Sequence, residues 1–442
     1  MNLVTRLKRS VIFVLTLGVF GCASDNQNEP QAKYLVSDVA FVNGHVFNAE
    51  DGFVDNVFIV REGAVIANVK NLTSDFSGKI VDLAGKWVIP GLIDMHTHSY
   101  GNFIPNAKND SPGTEVIAQR ILKAGVTGFV DLFGYEKKLF EVRAKQRSGA
   151  FVGADMYTSL TCFTAPKGHC SEYGIPTRTV TTVEEVKSQM DDLAQYKPDV
   201  IKIVYQPTDD QPSISKEVFA QLVKSADEFG IKTIVHIKTW QDVRDAVEVG
   251  ASAVTHVPRG KIPLDVPVLM AQSGMVMIPT LAVHNDFVNF LFDESVLDAP
   301  LLKQLVPESL IAAYKSQSLL EKYKDRKAEF EVRNRIAFAA VNAIHKAGVR
   351  VLVGTDAGNW NTVQGYSVHR EMKLLSEAGF TPEEAIAAAS TYATEFLGMK
   401  VGTNEGERAN FVVLNTSPTK NILNTQDIAF VVKDGKVVVP KE

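Results

Sequence analysis

The stretch Val88 to His98, Val-Ile-Pro-Gly-Leu-Ile-Asp-Met-His-Thr-His, ends on two imidazoles two residues apart. On an extended strand alternate side chains share a face, so Asp94, His96 and His98 point one way while Ile93, Met95 and Thr97 point the other. Neutral imidazole is the commonest protein ligand for zinc and its neighbours, and a pair so placed reaches one ion at roughly 2.0 to 2.1 Å. A half-exposed surface pair has the same spacing, so the remaining polar residues decide.

Those residues recur at one kind of place. His236 closes the apolar run from Thr233, His256 closes the run from Ala253, and Asp356 follows the run Val351 to Val353. Lys202 lies inside Asp199-Val-Ile-Lys-Ile-Val, where desolvation disfavours an ammonium and drives the amine toward its neutral form. A neutral amine reacts with carbon dioxide to give a carbamate, an anionic ligand suited to bridging two cations. The alternative is a lysine that snorkels to water or pairs with a carboxylate. Four histidines and an aspartate in one register must converge on something, because unpaired buried polar groups are costly.

The elements that position them alternate strand and helix. Apolar runs at Val126 to Val130, Phe151 to Met156, Val200 to Val204, Thr233 to His236, Ala253 to His256, Met275 to Ile278 and Val351 to Val353 join the run ending at His96 to make eight. Between them Val218, Phe219, Leu222, Val223, Ala226 and Phe229 recur at helical spacing, and Thr182 to Glu185 and Thr381 to Glu384 are capping boxes. Eight such units predict an α/β fold, a (β/α)8 TIM barrel over residues 89–399, whose active site lies at the C-terminal ends of its strands. Short alternating runs with Asn-Gly and Asp-Gly turns fill residues 35–88 and 400–442; neither end alone buries a face, so both are expected to share one small β-sandwich. The net charge of −5 over 442 residues, with no basic run beyond the first ten, excludes a nucleic-acid surface.

Arg6, Lys8 and Arg9 precede an apolar run from Val11 to Phe20, too short to span a bilayer and right for a signal peptide over residues 1–21. The following Gly21-Cys22 resembles the lipobox of bacterial lipoproteins. That resemblance implies acylation of Cys22, a flexible tether over 22–34, and an extracytoplasmic protein held on the membrane by its lipid, in the periplasm or at the cell surface. Simple secretion with cleavage nearby and an uncleaved anchor are the alternatives. Cys162 and Cys170 then remain, close together in a chain sent to an oxidising compartment, and a disulfide between them is expected; two reduced thiols are the alternative.

Taken together, Pro90-Gly-Leu-Ile-Asp94-Met-His96-Thr-His98, Val200-Ile-Lys202-Ile, Ile234-Val-His236, Thr255-His256 and Gly354-Thr-Asp356-Ala-Gly358 resemble the amidohydrolase superfamily of metal-dependent hydrolases, on its imidazolonepropionase-like and prolidase-like branch. The resemblance implies two divalent ions, with zinc expected: His96 and His98 on the more buried one, His236 and His256 on the second, and carboxylated Lys202 and Asp356 completing the set. Imidazolonepropionase lacks the bridging lysine, so Lys202 favours the binuclear, peptidase-like side. Two such cations lower the pKa of a shared water from about 15.7 to near 7 and supply a bridging hydroxide, with Asp356 as proton shuttle to the departing amine. Asp94 is expected to orient an imidazole or to join a salt bridge.

His169, Tyr205, Arg259 and His284 follow strand ends and are candidates for binding a small amide or dipeptide with a free carboxylate. The helical excursion from Val288 to His345 is expected to cover the site. Relatives carry a glycine where this chain has Lys167 and an aspartate where it has Asn410. A cyclic amide, lactone or ester hydrolase of the imidazolonepropionase type and a non-catalytic metal-binding lipoprotein are the alternatives. A deaminase requires an acid near the fifth strand, where His236 is followed by Ile237, Lys238 and Thr239. Oligomeric state, a homo-oligomer included, is left open.

Overall fold

The two chain ends meet in one sheet. In the computed structural model, which describes residues 34–100, 112–208, 210–359 and 361–438, strand Trp87–Pro90 pairs in parallel with Val39–Asn48 and antiparallel with Phe411–Leu414. The signal peptide, Cys22 and the tether through residue 33 lie outside the described residues. The expected sandwich is corrected in one respect: ten strands from both ends form one continuous hydrogen-bonded sheet. The sheet curls enough to bring Phe41, Phe58 and Phe411 together, with ring centroids 5.0–5.1 Å apart, so a single sheet encloses its own apolar face. No helix among the described residues is long and apolar enough to cross a membrane.

Gly91 carries the chain from this sheet into the α/β region. A Cβ there would lie 2.1 Å from the Thr127 hydroxyl, so only glycine lets the strand Leu92–Thr97 settle beside Val126–Asp131. Two parallel sheets follow, Leu92–Thr97 with Val126–Asp131 and Asp155–Thr158, and a second that runs through Ile201–Val204, Thr233–His236, Ala253–Thr255 and Val276–Ile278. A short strand the sequence did not suggest, Cys162–Thr164, flanks Ile201–Val204. The last expected strand, Val351 to Val353, makes only an isolated bridge from Val351 to Met277, but the Met95 amide donates to the Val353 carbonyl at 2.9 Å and links it to the first strand.

The helices form for the reasons their sequences give. Lys216–Glu228 buries Val218, Phe219, Leu222, Val223 and Ala226 on one face, and Ser215 caps it by accepting from the Val218 amide; Phe229, expected on that face, is the exposed C-cap. Both expected capping boxes are present, and a third, Thr239 with Asp242, starts the helix after His236.

Candidate metal centre

His96, His98 and Asp356 converge. Asp356 Oδ1 lies 3.0 Å from His98 Nε2 and 3.3 Å from His96 Nε2, and their ligand atoms all fall within 4.8 Å of one another. Two close approaches make this geometry accessible. Gly354 passes so near the first strand that a Cβ would stand 3.0 Å from the His96 backbone nitrogen, and Gly358, at φ 118°, would place one 2.6 Å from the His98 carbonyl. Asp94 corrects its expected role: it touches no imidazole ring and instead accepts from the His96 and Thr355 amides and, at 2.6 Å, from the Thr355 hydroxyl. It thereby fixes the turn that presents Asp356.

The other two histidines extend the cluster. The His256 ring is 5.1 Å from His96 and 4.5 Å from His236, and the His236 ring is 4.6 Å from His169. Threonine hydroxyls hold two rings by Nδ1, Thr255 on His96 at 2.7 Å and Thr280 on His256 at 2.8 Å, which leaves Nε2 of each for a ligand. His236 is held the other way, its Nε2 lying 3.0 Å from Gln206 Oε1, so Nδ1 is its free atom. Burial pushes His96, His236 and His256 well below the ordinary imidazole range, so each keeps a lone pair at neutral pH. His256, Thr280 and Asp356 all take positive φ, at 78°, 50° and 54°; for β-branched Thr280 this is strained backbone concentrated at one site.

Lys202 is 3 % exposed, burial pushes its pKa down, and its Nζ has no hydrogen-bond partner among the described residues. It faces a cavity of about 240 Å³ lined also by the four histidines, His169, His284 and Asp356. Asp356 is held well below the usual carboxylate range: burial raises it, but His96, His98 and Lys202 together outweigh that. An anionic carboxylate, three neutral imidazoles and one orphaned buried amine form a donor set that fits two divalent cations.

Of the candidate substrate residues, His169 and His284 line this cavity, and His284 with Arg259 lines a second one of about 370 Å³ beside it. Tyr205 does not line either. Strand alternation sends Lys202 inward and Tyr205 outward, where its ring stacks on Phe219 at 4.4 Å and its hydroxyl donates to Asp245 at 2.8 Å. The same parity points Gln206 inward, a residue missed in the sequence although counting from Lys202 finds it. The expected disulfide is also corrected: Cys162 and Cys170 are free, buried thiols. Both thiols are reduced in this structure, and burial pushes Cys162 well above the ordinary thiol range.

The Amidohydrolase family profile matches residues 87–438. The chain belongs to the amidohydrolase family. Among curated members, a 5-methylthioadenosine/S-adenosylhomocysteine deaminase of Bacillus cereus is 23 % identical over 452 residues, covering 90 % of this chain and 93 % of that protein. Among solved family structures, a Xaa-Pro dipeptidase with bound methionine superposes with a TM-score of 0.72 at 18 % identity, over 91 % of this chain and all of that one. The ochratoxinase of A. niger gives 0.70 at 19 % identity, over 91 % and 96 %. At these identities the structural likeness carries the amidohydrolase fold and nothing finer.

Proposed function

We propose that the protein is a binuclear metal-dependent hydrolase that cleaves a carbon–nitrogen bond in a small amide or dipeptide, on a closed (β/α)8 barrel. The observation that carries this reading is the buried, unpartnered Lys202 amine between one group of three ligands and a pair of imidazoles. His96, His98 and Asp356 would hold one ion, and His236 and His256 the other. With carbon dioxide, the Lys202 amine forms an N–C bond and loses one proton to solvent, giving the anion that both sites share. The ions, zinc being the best match to this donor set, would supply Lewis acidity and an activated water.

The chain's own residues do the rest. Asp356, ionised and beside both first-strand imidazoles, accepts the nucleophile's proton at its carboxylate and returns it to the departing amine. Thr255, Thr280 and Gln206 hold the imidazole rings in place so that ligand atoms are aimed before metal arrives. His169, His284 and Arg259 border the cavities where the substrate's carboxylate would lie.

The deaminase name of the sequence relatives is the second reading. It is disfavoured by Asp242, the first carboxylate after His236, whose oxygens accept from the Lys238 and Thr239 amides in a capping box. The sequence resemblance at Gly21-Cys22 supports placing the enzyme outside the cytoplasm on a lipid anchor. Metal-loaded protein tested against dipeptide and N-acyl amino acid libraries should cleave amides; activity confined to esters, or release of ammonia from a ring amidine, would overturn the proposal.

A further inference from the structure

The second cavity carries two guanidiniums that no carboxylate among the described residues pairs with. Its wall carries Arg259, from the loop after Ala253–Thr255, and Arg333, from helix Lys327–Lys346. Neither hydrogen-bonds or ion-pairs with any described residue; Arg333 stands over the Phe330 ring at 5.5 Å and feels the Glu329 charge from beyond ion-pair distance. The one carboxylate among the described wall residues, Asp210, is taken by Lys238, and nearby Glu329 is paired with Arg326 at 3.2 Å. The remaining titratable wall groups, His236, His256 and His284, are kept neutral by burial. These imidazoles border both cavities, so a substrate whose carbonyl lies among the ligands continues toward the arginines.

We infer that this cavity is the subsite for an acidic amino acid on the departing side of the scissile amide, with Arg259 and Arg333 each receiving one of its two carboxylates. Two guanidiniums facing the same space repel until two negative charges enter, and a planar fork matches a carboxylate bidentately. Ile336 and Ala337 line the same wall and suit the methylene stem. The departing side follows from charge: an acidic residue on the acyl side would bring an α-ammonium, and every described carboxylate near the cavity is already paired. The inference deepens the hydrolase reading and names its substrate class as N-acyl or N-aminoacyl aspartate and glutamate.

Binding tests it without turnover. Calorimetric titration of the full chain with L-glutamate and with its isostere L-glutamine should show glutamate bound about tenfold tighter or better, as loss of a charge-assisted pair predicts. That preference should fall toward unity in Arg333→Met and in Arg259→Met, and be only partly restored in Arg333→Lys, with unfolding midpoints establishing that each variant is folded. The same comparison by kcat/KM on N-acetyl-L-glutamate and N-acetyl-L-glutamine should give the same order. Equal binding of the two amino acids by the wild type, or a preference that survives both Arg→Met changes, overturns the inference. Glutamate binding that depends on Arg333 in a protein that cleaves no amide would instead keep the subsite and remove the hydrolase reading.

Discussion

The two halves of the proposed metal centre are built to different standards. His96, His98 and Asp356 already stand within ligand distance of one another, clamped by Asp94 and by two glycine approaches. His236 and His256 are only a pair, with rings 4.5 Å apart, and they share their cavity with the bare amine of Lys202. Preorganisation therefore lies in the first half, while the second must acquire an anion before it holds an ion well. Lys202→Ala breaks this contrast most severely. Metal content is expected to fall from about two toward about one per chain and turnover by orders of magnitude, with partial rescue by small carboxylates, since a shared nucleophile needs both ions. Elemental analysis with rates on the same preparation checks it, and full occupancy with full activity would end the binuclear reading.

A smaller effect sharpens the comparison. Removing the hydroxyl that orients a ligating ring costs roughly 10- to 100-fold in metal affinity. Thr280→Val, in the two-imidazole half, is expected near the top of that range, and Thr255→Val, in the three-ligand half, near the bottom, because the remaining ligands there compensate. Competition against a chelator, read separately for the tight and weak ion, measures both. Equal losses would mean that the two halves are equally organised.

The smallest effect concerns the support beneath His284. Glu371, buried, accepts from the Leu281 and Ala282 amides at 2.8 and 2.6 Å, beside the Arg370–Asp286 pair, and so anchors the helix that carries His284. Burial pushes its pKa up to about 8 from an ordinary value of 4.5. A raised native value means that the neutral acid is favoured by folding. That stabilisation is complete below about pH 4.5 and is lost as pH rises through about 8. The melting-temperature difference between wild type and Glu371→Gln should accordingly shrink across that window, and a pH-independent difference would contradict it.

The candidate ligands were legible because each lies in or just after an apolar run, where neighbouring residues fix both the register and the direction of the side chain. Tyr205 was misassigned because its distance from a strand end was used and its parity with Lys202 was not; parity decides which face a strand residue joins. The curled single sheet was partly legible: alternation showed that both ends were β structure but not that they hydrogen-bond into one network. Arg333 was not legible at all. It lies inside a long helix with no strand end nearby, and only the packing of that helix brings it to the cavity.

Gly91 and the strand before it also fix an order of events. Pro90 pairs with Phe411, and Trp87 to Ile89 pair with Leu414 to Val412, so the sheet is sealed by residues made near the end of synthesis.

 Until Phe411–Leu414 inserts between Trp87–Pro90 and Ile428–Lys433, the aromatic faces of Phe41 and Phe58 have no cover and the edge of Trp87–Pro90 stays unpaired. Pairings between such distant parts of a chain form slowly, because the loop must close before the contact rewards it. A nascent chain therefore carries a sticky, half-built sheet ahead of a region that has already begun to fold. A chain cut short before Phe411 loses three strands of that sheet, Phe411–Leu414, Ile428–Lys433 and Lys436–Val438, and keeps every proposed metal ligand, so its failure would be one of folding and aggregation, not of chemistry.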